Sequence, residues 1–197
     1  TAEFAARYPV LTFASGPTNS MRGAAFLSGL HDAIVLDVGG TTTDAGALVH
    51  GFPREASFAV RIGGVRTNFR MPDLVSMGLG GGSIVRRVGE GVKVGPDSVG
   101  YRLEQEALVF GGDVLTATDI AVALGLVDLG ESSRVGHLDR GFARDTHRHM
   151  VQMIEDVVDR MKTSAEPVPV VVVGGGSILV PDRLAGAAEV VRPDHFE

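Results

Sequence analysis

The chain contains no cysteine, which excludes disulfides, thiolate nucleophiles and cysteine-based zinc sites at the outset. That composition fits a reducing cytosol, so a cytoplasmic location is the expectation. Lysine is nearly absent and the arginines are scattered. With a formal net charge of -6 and a pI near 5.5, no basic stripe offers itself to DNA or RNA, and nucleic acid is not an expected partner. Long apolar runs are missing as well: Val170 to Val173 is far too short to cross a bilayer, so no membrane partner is expected. No charged segment followed by an apolar stretch opens the chain in the manner of a secretory signal, and no low-complexity tract or internal repeat is visible. What remains is 197 residues, 44% of them hydrophobic, enough for one domain with a full core or two small lobes. The chain opens on Thr1 and stops soon after a strand-like Glu189-Val190-Val191. Both ends read as cut, and the expectation is a single domain, residues 1–197, excised from a larger protein.

Glycine, by contrast, is plentiful, and its 27 residues gather in clusters that mark turns and ligand loops. Leu11 to Ala14 reads as a first strand, and Thr18 or Asn19 as the cap of a helix rich in small residues that runs to about Leu30. Ala33 to Leu36 reads as a buried strand, followed by Ala45 to Val49 and Ala56 to Ile62; short links between them predict an antiparallel meander. An apolar run over 74–79 ends in Gly80-Gly81-Gly82-Ser83. Two short strands follow around Ile84 to Val88 and Val92 to Val94, then an irregular stretch over 95–113, then a short helix capped at Thr118-Asp119 and running to Leu124. Residues 140–162 carry the clearest helical period, with Phe142, Met150, Met153, Ile154, Val157 and Met161 on one face and charged residues opposite. Pro167 and Pro169 lead into a buried strand, Val170 to Val173, which ends in Gly174-Gly175-Gly176-Ser177.

The most informative segment is Ile34 to Gly46. An apolar run ends in Asp37, then come Gly39-Gly40, three threonines and Asp44. Glycines at 39 and 40 remove the Cβ atoms that would keep a polyphosphate from main-chain N–H groups. Thr41 to Thr43 add hydroxyl donors, and Asp37 and Asp44 can share a hydrated Mg²⁺, which prefers oxygen ligands and keeps several waters. The competing reading is a polar hairpin whose Asp and Thr side chains satisfy only turn amides.

Three glycine-rich loops each follow an apolar strand, and the recurrence is stronger evidence for ligand loops than any one of them. No lysine follows any of them, so the Walker P-loop is excluded. A dinucleotide fingerprint fails at Leu179, which stands where its last small residue belongs. For Gly80 to Gly82 a tight turn or bulge competes with ligand contact; Gly174 to Gly176 favours ligand contact. His147 and His149, two apart on a helix, cannot form the i, i+4 metal pair and read as solvated. His31, His50 and His137 fall in turns, where exposure is the default. Ser15 lacks the Gly-x-Ser-x-Gly setting of a hydrolase nucleophile.

Taken together, Asp37-Val-Gly-Gly-Thr-Thr-Thr-Asp44 and Val171-Val-Val-Gly-Gly-Gly-Ser177 resemble the second phosphate motif and the adenosine motif of the actin, Hsp70 and sugar-kinase superfamily. Finer marks resemble the hydantoinase A / 5-oxoprolinase / acetone carboxylase family: Ser15-Gly-Pro with Gly23-Ala-Ala, Met77-Gly-Leu-Gly-Gly-Gly-Ser-Ile84, Val94-Gly-Pro-Asp-Ser-Val-Gly100, and Thr118-Asp119 before Leu124-Gly125. The resemblance implies an α/β fold, one ribonuclease-H-like half of an actin-like ATPase, with a mixed sheet and flanking helices. It implies ATP and Mg²⁺ as cofactors: Gly39, Gly40, Thr41 and Thr42 on the β/γ-phosphates, Asp37 and Asp44 as catalytic residues around the metal, Gly174, Gly175 and Gly176 against adenosine, and Gly80, Gly81, Gly82 and Ser83 facing the same cleft. It further implies ATP-dependent hydrolysis of a cyclic amide of the hydantoin or 5-oxoproline class, in concert with a B-type hydantoinase subunit and with an N-terminal half that carries the first phosphate motif and is not in this sequence. A ketone carboxylase, a small-molecule kinase and a non-catalytic nucleotide-binding module are the alternatives. The chain departs from the family after Gly100, where Tyr101 to Phe110 replaces a Pro-Gly-Pro-Ala-Cys-Tyr-Gly loop, and this leaves the substrate open.

Overall fold

The computed structural model describes residues 2–12, 14–56, 61–62, 64–66, 71–89 and 91–194. Its elements, in chain order, are helix α1 (Ala2–Arg7), helix α2 (Ser15–Ser28), strands β1 (Ala33–Val38), β2 (Thr43–Val49), β3 (Phe52–Pro53), β4 (Arg61–Ile62), β5 (Val65–Arg66), β6 (Leu74–Met77), β7 (Ser83–Val88) and β8 (Gly91–Ser98), helices α3 (Leu103–Glu106), α4 (Ala117–Ala123) and α5 (Arg140–Met161), and strands β9 (Val168–Val173) and β10 (Ala187–Val191).

The main sheet has the order β10-β9-β1-β2-β3, with β6 also against β2. β1 and β2 are antiparallel, whereas β1, β9 and β10 run parallel. This mixed sheet, with antiparallel strands first in the chain and helices on both faces, is the ribonuclease-H-like arrangement expected. Burial on both faces explains why β1 reads as an apolar run rather than an alternation. Ile34, Leu36 and Val38 join Met150, Ile154 and Val158 of α5 in one cluster. Ala33 and Val35 turn the other way, to Met21 and Ala24 of α2. The close approach of α2 depends on a glycine in the sheet: a Cβ at Gly46 would lie 2.5 Å from Met21 Sδ. Helix α5 starts where the Asp139 carboxylate accepts the Phe142 N–H, and it buries Ala143, Thr146, Met150, Ile154, Val157, Val158 and Met161 at helical spacing. Among the described residues no helix is long and apolar enough to cross a membrane.

Several sequence expectations change. The strand expected over Leu11 to Ala14 is not found in its described part: Pro9–Thr12 is a 3₁₀ turn, residue 13 lies outside the described residues, and Ala14, at φ 58°, leads straight into α2, where the Thr18 N–H reaches Ala14 O. The helix therefore begins three residues before Thr18, and Pro17 falls in the first turn, where a missing N–H costs nothing. The third strand of the meander is Phe52–Pro53, not Ala56 to Ile62; residues 57–60 of that expectation lie outside the described residues, and its end, Arg61–Ile62, pairs with Val65–Arg66 instead. Pro169 lies within β9, at the register shift between Val168 and Val170 in the pairing with β10, where no ladder N–H is required of it. Residues 95–113 are more regular than expected, since β8 runs to Ser98 and helical turns occupy Gly100–Arg102, Leu103–Glu106 and Leu108–Phe110. The cap of α4 is Thr116, not Thr118; Asp119 closes a capping box with it.

Candidate nucleotide site

Because β1 and β9 are parallel neighbours, the turns that follow them emerge at the same edge of the sheet, the place where open α/β sheets collect ligands. The first turn, Gly39 to Thr42, joins β1 to β2. Its closing bond runs from Gly39 N–H to Thr42 O at 2.9 Å. Gly40, Thr41 and Thr42 are exposed, and among the described residues their three consecutive N–H groups have no hydrogen-bond partner. A Cβ at Gly40 would meet nothing within 4 Å. Thr43 is different: its hydroxyl is fully buried and donates to Leu79 O at 2.7 Å, so it fastens the turn and is not offered to a ligand.

The second loop, Gly80 to Ser83, is buried and its main-chain donors are spent inside the protein. Gly81 N–H donates to Gly39 O (3.0 Å), Gly82 N–H to Gly40 O (2.7 Å) and Ser83 N–H to Gly80 O (3.0 Å), while Gly80 N–H donates to Ser83 Oγ (2.9 Å). Instead of turning its amides to the cleft, this loop backs the first turn. A Cβ at Gly80 would lie 2.6 Å from both Gly39 O and Thr41 N. Further supports converge from outside the glycine loops. Thr118 Oγ1 donates to Gly81 O at 2.9 Å, and Ser98 Oγ to Gly40 O at 3.3 Å.

Asp37 and Asp44 are directly opposed across the β1–β2 pair, which places their Cβ atoms about 4.5–5.5 Å apart on one face. Both are half-buried, and among the described residues neither has an Arg, Lys or His partner. Ser76 extends the row: it faces Asp44 across β2–β6, and its hydroxyl donates to Asp44 Oδ1. Nothing in the apolar pattern of 74–79 singles out Ser76. No group of three or more His, Cys, Asp or Glu stands ready to hold a metal among the described residues, so the acidic site is a pair and not a cage.

The third loop abuts the first. Gly174 has φ 87°, and a Cβ there would strike Val38 O at 2.5 Å and Asp37 Oδ1 at 2.7 Å; one at Gly176 would strike Gly39 O at 2.6 Å. Gly175 is exposed and open. Beside this loop is a cavity of about 520 Å³ whose lining includes Leu126, His147, Ser177, Ile178, Pro181 and Arg192. His147 is half-buried, not solvated: its Nε2 lies 3.1 Å from Leu179 O. His149, His31, His50 and His137 are exposed.

Residues 1–166 match the Hydantoinase/oxoprolinase family. The chain belongs to the hydantoinase/oxoprolinase family. Over 122 residues it is 34% identical to the acetophenone carboxylase gamma subunit of Aromatoleum aromaticum, a match that covers 59% of this chain and 17% of that protein. Its fold is similar to that of acetone carboxylase in a nucleotide-free structure, with a TM-score of 0.66 at 18% identity, covering 81% of this chain and 26% of the other. It is also similar in fold to the ATP-dependent caprolactamase of Pseudomonas jessenii, with a TM-score of 0.56 at 22% identity, covering 86% and 30%. The chain thus spans less than a third of each of these relatives. In this hydantoinase/oxoprolinase family member, β9 and the Gly174 to Gly176 loop lie beyond the matched residues, and it is their place against Asp37 and Gly39 that ties them to the site.

Proposed function

We propose that this chain is the nucleotide-holding half of an actin-like ATPase, part of a hydantoinase/oxoprolinase-type enzyme that uses ATP to activate the carbonyl of a cyclic amide for ring opening. The observation that carries this reading is the run of three N–H groups at Gly40, Thr41 and Thr42 that are unspent among the described residues, beside two opposed carboxylates with no basic partner among those residues. Consecutive main-chain donors suit a polyphosphate, and an uncompensated acidic pair suits its divalent cation. The residues present therefore fit MgATP. Gly40 to Thr42 would hold phosphate oxygens, with Gly39 closing the turn, and Asp37 and Asp44 would hold the metal or its waters. Gly174 to Gly176 would border the nucleoside, whose base fits the size and largely apolar lining of the adjoining cavity.

Bound MgATP supplies the transferable phosphoryl group and part of the charge neutralisation that phosphoryl transfer requires. The chain's own contribution is positioning. Gly80 to Ser83, Thr118 and Ser98 fix the carbonyls of Gly39, Gly40 and Gly81, so the N–H groups at 40–42 are aimed before any ligand arrives. The first phosphate motif would come from the N-terminal half, and a B-type subunit would complete the assembly. The relative named as a gamma subunit is in keeping with such an assembly.

A second reading, carboxylation of a ketone, is favoured by the 34% identity to the acetophenone carboxylase gamma subunit. Phosphate release by the full-length protein with its B-type partner and MgATP separates the two. The substrates to compare are hydantoin, 5-oxoproline, caprolactam, and acetone or acetophenone with bicarbonate. Stimulation by a cyclic amide, with an opened-ring product, is the expected result. Stimulation only by ketone plus bicarbonate would replace amide hydrolysis by carboxylation, and a stable phosphorylated product would mark a kinase. Nucleotide binding without stimulation by any compound would overturn the enzyme reading in favour of a binding module.

A further inference from the structure

Asp37, Asp44 and Ser76 occupy directly opposed positions on three neighbouring strands, β1, β2 and β6. Side chains opposed in this way share one face of the sheet, so the row presents two carboxylates and then a hydroxyl. Like charges directly opposed repel, and a carboxylate free to rotate would turn away from its neighbour. Ser76 removes that freedom at Asp44 by donating its hydroxyl to Oδ1. Oδ2 is left without a partner among the described residues. Ser76 is itself exposed, on a strand with a single ladder partner among the described residues, so packing there does not explain its hydroxyl.

We propose that Ser76 is a positioning residue for the cation site: its hydrogen bond sets the Asp44 carboxylate so that Oδ2 is presented, together with Asp37, to a divalent cation or its water. This rests on the nucleotide-site reading above. Hydrogen-bond partners behind a metal-binding carboxylate hold it in orientation, and their loss typically lowers metal affinity about 10–100-fold.

The test uses the full-length protein with a non-hydrolysable ATP analogue and Mn²⁺ as a paramagnetic probe, reading the Mn²⁺ dissociation constant by electron paramagnetic resonance without turnover. Ser76→Thr keeps a hydroxyl, whereas Ser76→Val has nearly the same shape, suits an exposed strand position and lacks one. The expected result is Mn²⁺ binding weakened about tenfold by Ser76→Val and close to the parent's in Ser76→Thr, with equal melting temperatures and unchanged metal-free ADP binding. Equal Mn²⁺ affinity in the Val and Thr variants would overturn the role of Ser76. Asp44→Asn separates this failure from that of the site itself: if Asp44→Asn also leaves Mn²⁺ binding unchanged, the nucleotide-site reading fails with it.

Discussion

Gly40 lies within the turn that follows β1 and Gly80 packs behind it, and the two glycines answer to different constraints. The space around Gly40 is open, while a Cβ at Gly80 would run into the main chain at 2.6 Å. Gly80→Ala is therefore expected to cost on the order of 2–3 kcal/mol through overpacking, read as a lower midpoint in urea. Gly40→Ala should leave the midpoint unchanged and, on the proposed function, weaken ATP binding by roughly tenfold, because the added methyl would stand where a phosphate would approach the main chain. Equal effects of the two substitutions on stability would mean that the loops do not pack as described. At Asp37 the expectation is a split between kinetic and binding effects. On the proposed function, Asp37→Ala in the full-length protein should lower kcat on the order of 100-fold while nucleotide affinity changes far less, since charge neutralisation matters most in the transition state. Unchanged turnover would remove Asp37 from the mechanism.

Helix α4 has only seven residues, and its start is held by a side chain that sequence pattern alone assigns to a cap. Asp119 is fully buried and accepts from Thr116 N–H (2.7 Å), Thr116 Oγ1 (2.8 Å), Val109 N–H (2.8 Å) and Leu108 N–H (3.3 Å). It fixes the helix start to the turn Leu108–Phe110. Thr118, one residue earlier, holds Gly81 O, so α4 and the glycine loop form one support. Asp119→Asn replaces one acceptor by a donor among N–H groups and is expected to cost about 2–3 kcal/mol. If the support is continuous, it should also raise the KM for ATP. A midpoint shift without any change in KM would show that α4 and the turn are uncoupled. Thr43→Val tests the other fastening: it keeps the shape and loses one buried hydrogen bond to Leu79 O. The expected loss is about 1–2 kcal/mol.

Across the whole molecule, stability comes from covering both faces of one sheet. Ile154 of α5 is fully buried, in the cluster that also holds residues of β1, β2 and β9, and Ile154→Ala should cost about 2–5 kcal/mol, the usual range for a cavity of that size. Phe26 on α2 is 86% exposed and Phe52 on β3 is 63% exposed, with the Arg22 guanidinium over the Phe52 ring at 4.3 Å. Phe26→Ser is accordingly expected to change stability by less than about 0.5 kcal/mol. A large loss there would place Phe26 in the folding core, against its exposure. The same sheet sets the site: parallel pairing of β1 with β9 brings to one edge two glycine loops that are far apart in the chain.

The sequence by itself determined the elements whose cause is local. The apolar run before Asp37, the glycines and threonines of the turn, the 3.6-residue period of α5 and the glycine clusters after strands all depend on neighbours a few residues away, and the structure contains each of them. Its errors fell where a local pattern had two readings. Pro169 reads as leading into a strand, yet it sits within β9 at a register shift, and Thr18 reads as a helix cap, yet the helix begins at Ser15. Only the tertiary structure decided which glycine-loop amides stay free and which are spent, because a main-chain donor is satisfied by whatever carbonyl folding brings to it: Gly81 and Gly82 find Gly39 and Gly40, while Gly40 to Thr42 find no partner among the described residues. The same holds for Ser76, an ordinary polar residue of a strand until strand register sets it opposite Asp44, and for His147, which reads as solvated until Leu179 O comes within hydrogen-bonding distance.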